Sequence, residues 1–200
     1  MNQLVATGRK MPGVAECGQT RSLVIGEGLA NAEATLIVNA KAEQPWTDEI
    51  FGELWRLTNP RDLGGRGGDE RCRRALALAP DTGALDAYIR RLEGVAMATP
   101  DQRATRYLIG LLVSAFPHGR PADQDVYCES LLHDAMNLGF PPQVVAGACR
   151  ALRRTLRFLP AVAEFVEACE AQRREIRVAL DYAQRLKERL ARAAEIVAAS

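Results

Sequence analysis

Arg150, Arg153, Arg154 and Arg157 fall at i, i+3, i+4 and i+7, a spacing that sets four guanidinium groups on one helical face. Like charges so placed repel, and the cost makes sense when something acidic approaches. Nucleic-acid phosphates or an acidic protein surface would serve, because both take the arginine fork in paired hydrogen bonds. The plainer alternative is a solvated face paired with Glu164 and Glu167 on the following helix.

Catalytic chemistry finds less support. His118 and His133 are the only histidines, and neither stands in motif context with a Ser or Cys nucleophile. Cys128 lies five residues before His133, which puts the two on different helix faces. His118 sits in a Pro-His-Gly turn and reads as a loop residue. The acid pairs Asp123/Asp125 and Glu164/Glu167 occur at helix starts or exposed faces, where they suit the helix dipole. Cys17, Cys72, Cys128, Cys149 and Cys169 are scattered, without the close pairs of a zinc site or the density of a disulfide scaffold. They read as free interior thiols. Gly64, Gly65, Gly67 and Gly68 lack the strand before and the Gly-Lys-Ser/Thr ending of a phosphate loop. No enzyme, metal or cofactor is expected.

The 200 residues suit one domain with a sizeable core. A 48% hydrophobic and 26% charged composition excludes disorder throughout, and the abundance of Ala, Leu, Arg and Glu leans towards helix. Net charge is +1, which argues against a strongly electrostatic role over the whole surface. The charge is uneven, with 11 Lys/Arg against 7 Asp/Glu over 150–200 and 3 against 5 over 101–149. No run approaches the ~20 apolar residues of a membrane span, and Met1 to Thr20 lacks a signal-like apolar stretch. A cytoplasmic protein is expected.

The elements read as all-α, an irregular helical bundle. Residues 1–20 read as a flexible N-terminus, and 21–59 as an N-terminal helical segment. In it, Ser22 caps a helix running to about Ala42, with Leu23, Ala30, Ala34, Ile37 and Val38 in helical spacing. A second helix follows Thr47. Residues 60–75, with four glycines and many charges, predict a Gly/Arg-rich linker. The helical body is 76–159. Leu85, Tyr88, Ile89, Leu92 and Val95 make one stripe, and Thr99-Pro100-Asp101-Gln102 starts the next helix with Thr99 as cap. A helix over about 122–138 turns Val126, Tyr127, Leu131, Leu132 and Ala135 inward and ends at Gly139, and another spans about 142–156.

From 160 to 200 there is no Gly and no further Pro beyond Pro160. Apolar residues recur at 3–4 spacing through Ile176, Ala183, Leu186, Leu190 and Val197, which predicts one helix of about 58 Å at 1.5 Å per residue. That exceeds the width of a domain this size, so its distal part is expected to leave the body. The seam would then pair as a coiled coil with a second copy or a partner, although small alanines at several seam positions weaken it.

Tyr127, Leu131, Gly139-Phe140-Pro141, Val144-Val145 and Ala148, followed by Arg157-Phe158-Leu159-Pro160-Ala161-Val162-Ala163-Glu164-Phe165, form a pattern over about 101–170. It resembles the helicase-loader and helicase-inhibitor family of phage and prophage replication modules. The resemblance implies a helical body that binds a replicative DNA helicase without a nucleotide site of its own. In its physical reading, Pro160 is preset for a helix start and Phe158 packs beneath the corner. The long N-terminal half and the uninterrupted helix after Pro160 depart from the family's arrangement.

The functional expectation is therefore a replication accessory protein that binds a replicative helicase as loader or inhibitor. Single-stranded DNA at the arginine stripe is a lesser expectation. The alternative is a non-enzymatic helical adaptor or inhibitor acting on another protein through the long C-terminal helix, with self-association at the same seam.

Overall fold

The computed structural model describes residue 36 and residues 38–63, 67–116 and 121–200. Among these the chain is all helix and turn, with no strand. The helices are α1 (Asp48–Leu57), α2 (Pro60–Leu63), α3 (Gly68–Leu78), α4 (Thr82–Ala96), α5 (Gln102–Ser114), α6 (Gln124–Asn137), α7 (Pro142–Thr155) and α8 (Val162–Ala198). Short polar side chains start four of them. Thr47, Asp81, Asp101 and Asp123 each accept a hydrogen bond from the backbone N–H three residues on, at 2.8–3.2 Å. Asp101, not Thr99, is thus the cap of α5; its carboxylate reaches the N–H of Ala104. Gly139, at φ +67°, takes the left-handed turn that ends α6, a conformation L side chains rarely adopt.

The 37-residue helix α8 is the spine of the molecule. Helices α3, α4, α6 and α7 pack on it, and α5 stands behind α6 and α7. Its seam meets three successive clusters. Phe165, Cys169, Ile176 and Ala183 belong to the main core with Leu92, Leu108, Leu131, Phe140 and Val145. Leu186 meets Leu54 and Leu57 of α1 and Ala75 of α3. Ala193 meets Leu63 and Cys72, with Val197 partly buried against them. Ile176, Ala183 and Leu186 are at most 2% exposed, and Leu190 is partly covered by the same neighbours. The expected protruding seam is corrected here: the N-terminal half of the chain folds back and covers it. Alanines at 183 and 193 let neighbouring helices approach closely.

The expected linker over 60–75 is corrected for the same reason. Pro60–Leu63 and Gly68–Leu78 are helical, and Leu63, Cys72 and Ala75 are buried. Gly67 is left-handed at φ +77°, and a Cβ on Gly68 would lie 2.1 Å from the Leu63 carbonyl oxygen. Gly67 and Gly68 thus belong to a tight corner; residues 64–66 lie outside the described set.

The flexible N-terminus predicted for 1–20 also lies outside it, as does most of the helix predicted from Ser22. Leu36 is helical, but Val38 and Asn39 are not, so that helix does not reach Ala42. Instead Val38 and Ala40 are buried, and the Tyr88 hydroxyl donates to the Ala40 carbonyl at 2.6 Å. Val126, expected inward, is 62% exposed.

Candidate interaction surface

Helix α7 is built for close packing. Gly139, Pro141 and Pro142 set its start, and Val144, Val145, Ala148, Cys149 and Leu152 are buried against the core. Gly147 lets α8 come near, since a Cβ there would lie 2.6 Å from the Gln172 side chain. The opposite face carries the arginines.

The helix stops at Thr155, because Leu156 is extended at φ −98°, ψ 147°. Arg157 therefore does not share the face of Arg150, Arg153 and Arg154, which corrects the four-residue stripe. Arg150 and Arg154 instead border a small cavity of about 150 Å³ with Asn39, Gln172 and Glu175. Neither makes an ion pair with another described residue. Arg153 is half-buried and engaged.

Arg157 and Phe158 occupy the turn between α7 and α8. Pro160, two residues on, is buried. Tyr127 of α6 donates its hydroxyl hydrogen to the Pro160 carbonyl at 2.6 Å, and the Glu164 carboxylate accepts from the Ala161 N–H at 2.7 Å. Both bonds fix the α8 end of the corner. Its aromatic ring is not beneath it: Phe158 is 69% exposed, and the expectation that it packs under the Pro160 corner is corrected. Tyr127 fills that place. Arg154 and Arg157, both before Phe158 in the chain, are exposed and make no ion pair with a described residue.

The remaining chemistry-bearing residues do not converge with this corner. His133 is exposed, with its ring nitrogens near Asp134 and Asn137; His118 lies outside the described residues. Cys72, Cys149 and Cys169 are buried, and none of them forms a disulfide. Burial pushes Cys72 and Cys169 up, away from the thiolate form that a nucleophile or metal ligand needs. Cys17 lies outside the described set. No group of three or more His, Cys, Asp or Glu able to hold a metal occurs among the described residues. No helix among them is long and apolar enough to cross a membrane.

One cluster escaped the sequence reading. Trp46, Phe51, Trp55 and Tyr182 form a chain of ring contacts with centroids 5.5–5.8 Å apart. The Arg189 guanidinium lies 3.6 Å from the Trp55 ring centre and donates to the Trp55 carbonyl. The i, i+4 spacing of Phe51 and Trp55 was the available signal. No family model matches the chain, and neither a curated protein nor a solved structure does so.

Proposed function

We propose that this protein is a non-enzymatic, cytoplasmic binding protein that acts on another protein through the α7–α8 corner. Its partner would be a replicative DNA helicase, which it loads or inhibits as a replication accessory of phage or prophage type. The helicase rests on the resemblance over 101–170, a span that contains the corner. The single observation that carries the binding reading is Phe158, 69% exposed, with exposed arginines one and four residues before it in the chain. An exposed aromatic close to arginines in the chain has the composition of an interface hot spot. Single-stranded DNA is the weaker fit, because stacking platforms use several rings along a basic groove and net charge is only +1. The adaptor reading through the α8 seam is not favoured, since the seam faces the chain's own helices.

The test is affinity for a purified replicative helicase, with the full chain and with Phe158→Ala, Arg154→Gln and Arg157→Gln. The expected result is binding by the native chain and a loss of about thirtyfold or more for Phe158→Ala, the scale of a hot-spot residue. Failure of the native chain to bind overturns the helicase as partner. Equal binding by all variants overturns the corner. Binding to single-stranded oligonucleotide with a salt slope of about −0.7 per phosphate contact would move the assignment to nucleic acid.

A further inference from the structure

The small cavity beside α7 lies between that helix, α8 and residues 38–39, and neither Arg157 nor Phe158 borders it. Its walls are fixed. On one side the Tyr88 hydroxyl holds the Ala40 carbonyl; on the other Gly147, lacking a Cβ, lets the Gln172 side chain lie against α7. The space is about 150 Å³, several times the ~30 Å³ that one water takes in the liquid. Its lining is rich in donors. Arg150 and Arg154 bring two guanidinium groups from successive turns of α7. The Asn39 side-chain oxygen accepts from the Ala42 N–H, which leaves its amide NH2 to donate, and the Gln172 carboxamide has no hydrogen-bond partner among the described residues. Glu175 is the one acid on the lining, and it lies beyond ion-pair distance of both arginines. Two cations against one carboxylate leave an excess of positive charge, and the opposite charges face one open space without closing on each other.

We infer that this cavity binds a phosphate group that can carry a proton, either inorganic phosphate or the monoester of a small molecule. Arginine forks take phosphate oxygens in paired hydrogen bonds, and the excess positive charge selects an anion. Arg150 is half-buried, so less of its charge is spent on water than at a fully exposed site. Glu175 narrows the class. A carboxylate repels a fully ionised oxyanion, but it accepts a hydrogen bond from an oxygen that bears a proton. A phosphate monoester retains such a proton below a pKa of about 6. Sulfate and the phosphodiesters of nucleic acid have none to give.

Calorimetric titration of the full chain at pH about 6, with ionic strength held constant in chloride, tests this. Inorganic phosphate should saturate one site per chain, and sulfate and a single-stranded oligonucleotide should bind at least about tenfold more weakly. Glycerol 3-phosphate binding more tightly than inorganic phosphate assigns the monoester, and weaker binding assigns the free ion. Arg150→Gln and Arg154→Gln should each weaken phosphate by about tenfold or more. Glu175→Gln should bring sulfate close to phosphate. Arg103→Gln, exposed on α5, should change nothing. Absence of saturable phosphate binding overturns the proposal, as does equal affinity in the native chain and both arginine variants with helical circular dichroism unchanged. Sulfate or the oligonucleotide binding the native chain as tightly as phosphate overturns it too, because no proton on the ligand would then be read.

Discussion

Tyr127 and Pro160 stand 33 residues apart and are joined by one hydrogen bond, hydroxyl to carbonyl, at 2.6 Å. The bond ties the start of α6 to the start of α8 and places the turn that displays Phe158. Pro160 is buried and Tyr127 half-buried, so the phenol satisfies a carbonyl that water reaches poorly.

Tyr127→Phe leaves the Pro160 carbonyl without this donor. Stability to urea should fall by about 1–3 kcal/mol, the cost of an unsatisfied buried polar group. A change within about 0.5 kcal/mol would show that water replaces the phenol at no loss.

Alkaline pH should weaken the fold through Tyr88 and Tyr127. Burial favours the neutral phenol and pushes each up to about 12 from an ordinary 10.0. A raised folded value means that the unfolded chain releases these protons first. This contribution is therefore intact below pH 10 and declines as pH rises through about 12. Tyrosinate absorbance should show two late-titrating phenols, and urea midpoints should fall across the same window. Ionisation of all tyrosines near 10 in the native state would contradict it.

Leu186→Ala should cost about 2–5 kcal/mol, because the side chain is fully buried between α1 and α3. Removal of residues 177–200 should destroy more helical circular dichroism than those residues account for. A truncated chain with the rest of its helix intact would mean that the distal part of α8 is dispensable to the body.

Phe158→Ala should change stability by no more than about 0.5 kcal/mol, since its ring is mainly in solvent. A loss of about 3 kcal/mol would place it in the core and remove the hot spot from the corner.

Gly68→Ala should destabilise by about 1–3 kcal/mol, as crowding of a packed site does. Its Cβ would strike backbone, the Leu63 carbonyl at 2.1 Å, which cannot swing aside as a side-chain end can. Thermal unfolding measures this, and a neutral result would show that α2 and α3 are free to part.

Most helices followed from the sequence alone, though not Pro60–Leu63 or Gly68–Leu78. The helix start after Thr47, the stop at Gly139 and the stripe Leu85–Val95 depend on neighbours within a few residues, and local pattern reads them directly. So did the long helix from Val162, which has no breaker inside it. In α5, Ile109 and Val113 are buried as well as Leu108 and Leu112; a helix apolar on several sides leaves its rotation open. What covers a face depends on residues far away, and only the tertiary structure decided it. Ala183 and Leu186 have the spacing of a partner seam, yet Leu54, Leu57 and Ala75 lie close to Leu186 through chain reversal alone. A glycine-rich stretch reads as loose until Leu63, Cys72 and Ala193 are seen to meet around it. Phe158 has the type of a core residue, but the space beneath Pro160 is taken by Tyr127, and two large rings cannot share one closely packed site.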